Sequence, residues 1–315
     1  MFDRFPHRWT PVLPLSELKS NPVAAEIAGE RIVLFRDTEL QWHALLDRCP
    51  HRGAALSLGK VTPEGHLRCQ YHGWRYDGAG RCLAVPLNGL NDAALSKIRA
   101  DALPTRHIGG AVWVYTGLTA EPPEPVLPAS LQGDPNLYVT YHQEWDANWS
   151  RAQENFIDFA HPPYLHEQTI GAWMHDYAEQ GGTARVDTEA TDYGMQMLSY
   201  VGRSAGGFRM DWYRPNLSIL HFGATAYNLL HVFCIPVNAG HTRVMTVRRV
   251  RSESDVDSYS RHASGTDHRI LDEDRAIVES QHGDVLSDPT EISVATDGPT
   301  LLFRDWYRNL LASGD

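Results

Sequence analysis

Seven residues in this sequence have the types and spacing to hold metal, and an eighth, Asp158, stands one helical turn from one of them. Cys49, His51, Cys69 and His72 read C-x-H, then seventeen residues, then C-x-x-H. Thiolates and imidazoles are soft-to-borderline ligands, so a metal is the natural occupant. A second group lies far downstream. Asp158, His161 and His166 fall in "ENFIDFAHPPYLH", and Asp274 falls in "RILDEDRAIVESQ". Two imidazoles and one carboxylate on a single metal leave open positions for O₂, the pattern of mononuclear Fe(II) oxygenases.

Two sites fit the first group. Zinc takes two Cys and two His. A [2Fe–2S] cluster of the Rieske type takes two Cys on one iron and two His on the other. Each loop offers one Cys and one His, which lets the sulfurs meet at one iron and the nitrogens at the other; this alternation favours the cluster. Glycines beside the ligands, in "CPHRG" and "YHGW", leave backbone N–H groups free to face cluster sulfurs. A chance grouping is the remaining alternative. Cys82 and Cys234 stand alone and read as small buried hydrophobes. Arg48, Arg52 and Arg75 flank the loops and suit an acidic partner, although solvated surface charge is the simpler reading.

The second group depends on helix geometry. A helix is expected over about 147–161, where Asp158 and His161 share a face. In an unbroken helix His166 would lie roughly 140° round from His161. Pro162 and Pro163 supply a change of direction, because paired prolines stop or kink a helix and push the preceding residue out of α geometry. Over about 268–281, a second helix places Ile270, Asp274, Ile277, Val278 and Gln281 on one face. Asp274 then points to the core, where a carboxylate needs a partner such as a metal; pairing with Arg275 or a capping role is the alternative. Asp272 and Glu273 read as solvated acids. For the two histidines taken alone, the alternative is an ordinary satisfied core role.

The elements around these groups divide in two. The first ~115 residues are short β-rich runs broken by Gly, Pro, Asp and Asn, which suits a small sandwich or barrel. A stretch with five prolines, "GLTAEPPEPVLPASLQGDPN", reads as a linker. Beyond it, strands are expected in "YGMQMLSYVG", "NLSILHFG", "NLLHVFCIPV" and "HTRVMTVRRV", with a last helix in "PTLLFRDWYRNLLAS". Helices at the ends of a run of strands indicate an α+β domain in which one sheet curls around a helix. The expected division is 1–117, a linker over 118–136, and 137–315.

Composition narrows the class. The formal charge is −11, from 28 basic and 39 acidic residues, which argues against nucleic acid or a polybasic membrane surface as partner. No apolar run approaches ~20 residues, so no membrane span is expected. The N-terminal stretch lacks a basic start followed by an apolar segment, so a cytoplasmic, reducing setting is the expectation. Four cysteines in 315 residues are too few for a disulfide scaffold.

"CPHRG…CQYHGWRYDGAGRC" resembles the Rieske domain of the Rieske non-haem iron oxygenases, "DFAHPPYLH" is similar to their D-x-x-H-x4-H iron motif, and "EDRAIVESQ" looks like the segment giving their third iron ligand. The likeness spans nearly the whole chain and is closest to the vanillate and dicamba O-demethylase-like branch. It implies an all-β Rieske domain with Trp74 and Tyr76 over the cluster loop, and a helix-grip catalytic domain with mononuclear Fe(II). It also implies a role for Asn155 near the iron. Asp158 would bridge His161 to His72 of a neighbouring subunit in a head-to-tail homotrimer. The activity implied is that of a terminal oxygenase, using O₂ and electrons from a separate ferredoxin or reductase, with NAD(P)H acting only indirectly. It would hydroxylate or oxidatively demethylate a small cyclic compound. Arene cis-dihydroxylation is the rival reaction, and a Rieske electron-transfer protein without oxygenase activity is the rival class. The substrate pocket is expected between the curved sheet and the helix carrying His161. Ile157, Trp173, Tyr200, His221, Tyr227 and His231 are candidates to line it, with plain core packing as the alternative for each.

Overall fold

The computed structural model describes residues 1–203, 207–262, 265 and 268–313. The chain separates into two compact units, Met1–Pro125 and Val126–Asp315. No helix among the described residues is long and apolar enough to cross a membrane.

The first unit is built from three small antiparallel sheets. One joins Trp9–Pro14, Ala111–Tyr115 and Thr105–Ile108. The second joins Val23–Ile27, Glu30–Arg36, Trp42–Leu46 and Ala102–Leu103. The third joins Lys60–Val61, Leu67–Arg68, Arg75–Tyr76 and Cys82–Ala84. Val33, Phe35, Leu45, Leu56, Leu67 and Tyr76 form a core that also encloses Cys49, Cys69 and Cys82.

The two loops that carry Cys49 and Cys69 close in the same way. The Cys49 N–H donates to Ala54 and the Cys69 N–H to Trp74, each five residues on. The N–H of Gly53 returns to the Cys49 carbonyl at 2.8 Å, and that of Gly73 to the Cys69 carbonyl at 3.0 Å. Both glycines sit at positive φ, +70° and +71°, where a Cβ is strained. The repeated closure puts two buried sulfurs side by side and leaves the histidines at the loop tips.

The second unit is dominated by a seven-stranded antiparallel sheet. In spatial order the strands are Tyr138–Trp145, His241–Arg249, Leu229–Asn238, Leu217–His221, Phe208–Tyr213, Gly194–Val201 and Ala184–Ala190. The strands at 138–145, 184–190 and 208–213 are additional to those expected. The register sorts side chains by face. Trp145, Val232, Cys234 and Val244 share one face, where they pack with Phe156, Leu271 and Val278 from the helical segments. The C-terminal helix Gly298–Ser313 brings Phe303 edge-on to Trp212 of that face. Asp211, Ile219, His231 and Phe233 share the opposite face.

The helix expected over 147–161 ends sooner, at Asn155, within Trp149–Asn155. The cause is Asp158. Its Oδ2 accepts the backbone N–H groups of Ala160 and His161, at 3.0 and 2.9 Å, in place of a continuing helical ladder. The prolines do not break the helix. They occupy the first two positions of a new turn, Pro162–Leu165, where a missing N–H costs nothing. His161 itself stays in α geometry, with φ −74° and ψ −32°, so the expected displacement before proline is absent.

Gly73→Ala should cost about 1–2 kcal/mol, the penalty of a left-handed backbone for an L-residue, and its Cβ would meet Pro86 Cγ at 3.2 Å. The expected result is a lower thermal midpoint and weaker visible absorbance per chain than wild type; an unchanged midpoint would show that this turn tolerates a side chain.

Candidate metal centres

In the first unit, Cys49 and Cys69 are buried and the two imidazoles meet at a ring-centroid distance of 4.6 Å. Burial raises the Cys69 thiol above its ordinary value, and the adjacent Cys49 sulfur adds to the rise. Two neighbouring thiols in such a place favour a bound cation that stabilises their thiolates. The Tyr76 hydroxyl lies 3.2 Å from Cys49 Sγ, and Trp74 stacks on His51 at 4.5 Å and 6°. Both aromatics thus sit against the ligand loops. His51 Nδ1 is buried without a hydrogen-bond partner, as a ligand nitrogen would be. Sulfurs paired at one end and imidazoles at the other fit a binuclear cluster with split ligation.

In the second unit, ligand atoms of His161, His166 and Asp274 all lie within 4.8 Å of one another, with His166 and Asp274 buried. His166 Nε2 is 3.1 Å and His161 Nε2 is 3.7 Å from Asp274 Oδ1. Asp274 Oδ1 nevertheless has no hydrogen-bond partner. An orphaned carboxylate oxygen facing two imidazole nitrogens fits a divalent cation. Asp274 does not pair with Arg275, whose guanidinium holds Glu279 at 2.6 Å.

Each histidine has its far nitrogen anchored. Asp158 Oδ2 accepts from His161 Nδ1 at 2.8 Å. Glu273 Oε2 accepts from His166 Nδ1 at 2.7 Å and from the Thr169 hydroxyl at 3.0 Å. A carboxylate only accepts, so Nδ1 carries the proton and Nε2 keeps its lone pair for a metal. Burial works to raise the Asp158 carboxyl, but the hydrogen bonds from His161 and two backbone N–H groups outweigh it and hold it below the ordinary value. Glu273 is likewise lowered, with His166 and Thr169 overcoming burial. Burial opposes a charge on His166, yet Asp274 and Glu273 together raise it.

Glu273 is therefore not the solvated acid that helical phase suggested. The buried ridge of helix His268–Val278 is Leu271, Asp274 and Val278, while Ile277 is 49% exposed and Gln281 is exposed. Asp274 faces inward as expected, but on a ridge turned from the predicted one. Asp272 is exposed and receives Gln143 at 2.9 Å.

All three contacts of Asp158 use Oδ2, so Oδ1 remains as an acceptor beside a surface cavity of about 260 Å³. Asn155, His161, Arg304 and Ile277 also line this cavity. Its rim is braced by charges: Arg304 grips Glu154 at 2.6 Å and Glu291 at 2.7 Å, and Arg151 holds Glu291 at 2.8 Å. Partners 150 residues apart leave no local sequence signal.

The six proposed pocket residues do not converge. Ile157 is fully buried. Trp173 is 56% exposed and packs against Phe208, which in turn stacks with Phe159. His221 and His231 point to the sheet face away from His161, His166 and Asp274, because the register pairs them with Leu229 and Ile219. Tyr200 lies on that face too, paired with Arg185 and under its guanidinium. Tyr227 sits against Arg249 and Arg251. His221 instead holds Asp211 at 2.7 Å beside a separate cavity of about 620 Å³ that Ser130 and Arg209 help line.

Residues 8–94 match the Rieske [2Fe-2S] domain, and residues 145–313 match the vanillate O-demethylase oxygenase C-terminal domain. The methylxanthine N1-demethylase NdmA of Pseudomonas putida is 29% identical over 96% of this chain and 88% of its own. The 5,5'-dehydrodivanillate O-demethylase oxygenase subunit of Sphingobium sp. is 32% identical over 58% of this chain and 48% of its own. The solved structure of Pseudomonas putida CBB5 NdmA superposes with a TM-score of 0.72 at 27% identity, covering 96% of this chain and 89% of that one. Dicamba monooxygenase bound to dicamba shares the fold, with a TM-score of 0.73 at 20% identity and 98% of each chain covered.

His231 carries a pH dependence of its own. It is fully buried, with Nε2 2.7 Å from the Ser130 hydroxyl and Nδ1 3.0 Å from the Val247 carbonyl. Burial pushes it down to about 4. The unfolded chain, with an ordinary imidazole, takes up the proton first as pH falls. Stability from the neutral ring is complete above about pH 6.5 and is lost towards pH 4, by about 3 kcal/mol. His231→Gln should flatten the fall in urea midpoint between pH 7 and 4.5; parallel slopes for variant and wild type would contradict a neutral buried ring.

Proposed function

The chain belongs to the Rieske oxygenases whose catalytic domain is of the vanillate O-demethylase type, and on that premise we propose that it is a terminal oxygenase component that places one oxygen atom from O₂ into a small cyclic substrate. The outcome is a hydroxylated product or, at a methyl on nitrogen or oxygen, demethylation with release of formaldehyde. The observation that carries this reading is the convergence of His161, His166 and Asp274 on one buried point, with Asp274 Oδ1 unpartnered. Demethylase relatives that match most of the chain, NdmA among them, favour mono-oxygenation over dihydroxylation.

In this reading Cys49 and Cys69 hold one iron of the cluster, and His51 and His72 hold the other. His161 and His166 bind the mononuclear iron through Nε2, and Asp274 through Oδ1. When bound, the cluster supplies single electrons and the iron supplies the site of O₂ activation. Asp158 and Glu273 keep both imidazoles in the tautomer that offers Nε2. Asn155, with a buried Nδ2 that has no partner beside Asp158, is placed to donate a hydrogen bond at the site. Asp158 Oδ1 is free to accept from an imidazole of a second copy of the chain, which supports a head-to-tail trimer with His72 as the partner group. Electrons come from a separate ferredoxin or reductase. The sheet face towards the iron residues offers Met210, Leu220 and Leu230, a lining that suits an apolar ring.

With a surrogate reductase, O₂ uptake should rise with methoxyarenes or N-methyl heterocycles and yield formaldehyde in proportion; a cis-diol product would overturn mono-oxygenation. The purified protein should hold about three irons and two acid-labile sulfides per chain, whereas two and two would mark a carrier without a mononuclear site. Asp158→Asn should retain both metals while substrate-coupled turnover falls by about 10–100-fold. Normal turnover in that variant would remove Asp158 from electron entry.

A further inference from the structure

We propose that Glu273 is a positioning residue for the mononuclear site: it fixes the ring of His166 and couples the two segments that supply the ligands, independently of the metal. This rests on the iron-site reading above and goes beyond it, since Glu273 would touch neither metal nor substrate.

The two iron-side histidines are anchored by different means. His161 takes its carboxylate from three residues away, within its own turn. His166 takes its carboxylate from 107 residues away, on the helix that also carries Asp274. Glu273 and Asp274 are neighbours, and they bracket one ring: Glu273 holds Nδ1 at 2.7 Å, and Asp274 Oδ1 faces Nε2 at 3.1 Å. A half-turn of the imidazole would put a C–H against Glu273 and leave its carboxylate unsatisfied, so the contact selects one orientation of a buried ring.

The segment around His166 is shaped to receive Glu273. The His166 carbonyl accepts the N–H groups of Thr169 and Gly171, both at 2.9 Å, which winds residues 166–171 into a tight knot. A Cβ on Gly171 would lie 1.8 Å from the Pro162 carbonyl oxygen, so only glycine permits the winding. The knot brings the Thr169 hydroxyl to the same Glu273 oxygen that holds His166, at 3.0 Å. The other oxygen of Glu273 lies 3.3 Å from Arg269 Nε, one helical turn earlier. Glu273 is thus held by three polar neighbours, His166, Thr169 and Arg269, and its side chain is only 22% exposed. Asp272, beside it and 60% exposed, has no contact with a metal-binding residue.

The test compares Glu273→Ala, Glu273→Gln and Asp274→Ala in the full-length protein carrying its cluster. Fe(II) affinity is read by chelator competition, and the geometry of bound iron by the electron paramagnetic resonance spectrum of its nitric oxide adduct. Glu273→Ala should weaken Fe(II) binding by about 10–100-fold and broaden the adduct signal, with sulfide content and circular dichroism unchanged. Glu273→Gln keeps an oxygen that can accept from Nδ1 and Thr169, so it should recover most of the affinity and a sharp signal. Fe(II) affinity within twofold of wild type in Glu273→Ala, or a glutamine variant as impaired as the alanine variant, would overturn the proposal. Asp274→Ala separates the two readings: it should lose Fe(II) regardless of Glu273, and if it binds normally the iron-site assignment itself fails.

Discussion

The catalytic unit depends on a carboxylate accepting the Nδ1 proton of an imidazole. That hydrogen bond occurs twice, from Asp158 to His161 and from Glu273 to His166. Each one settles which nitrogen carries the proton and which carries the lone pair, and each holds the ring plane. Much of the surrounding architecture serves these two contacts. Asp158 reaches His161 because its carboxylate also takes two backbone N–H groups and ends the helix at Asn155. Glu273 reaches His166 because the knot at 166–171 lies against helix His268–Val278.

The sheet decides what else can approach that point. Neighbouring strands pair in register, so one residue of offset turns a side chain to the other face. Val232 and Cys234 pack with Phe156, Leu271 and Val278, while the adjacent His231 turns to Ser130. His221 and His231 therefore lie on the face away from His161, His166 and Asp274, and the near face is largely apolar, with Trp145, Trp212, Val232, Cys234 and Val244. Apolar side chains beside two imidazoles and a carboxylate lower the local dielectric, which strengthens electrostatic interactions there.

The N-terminal unit solves a different problem with repetition. Two loops of unequal ligand spacing close by one hydrogen-bond scheme, each ended by a glycine at positive φ. The scheme buries the sulfurs and leaves His51 half-buried and His72 exposed. Burial raises the Cys69 thiol and so disfavours an unaccompanied thiolate. A cation bound there reverses that balance, which is the physical sense in which the loops suit a cluster.

Much of this was legible from residue type and spacing. Cys49, His51, Cys69 and His72 announce themselves because few side chains bind soft metals and their separations are short. Asp158, His161 and His166 do so for the same reason, and Asp274 because a carboxylate among aliphatic helix positions needs a partner. The helix boundary at Asn155 was not legible, since a proline pair is a louder signal than one aspartate folding back on its backbone. Nor was Glu273, whose partner is 107 residues away and whose helical phase pointed outward. The pocket lining failed for the period-two reason: His221, His231 and Tyr200 have suitable chemistry, but face is set by strand register, which depends on partners distant in the chain. Local chemistry and spacing thus singled out, from the sequence alone, residues that the structure brings together. Orientation, pairing and face came only from the tertiary structure, because each depends on which distant segments come to lie side by side.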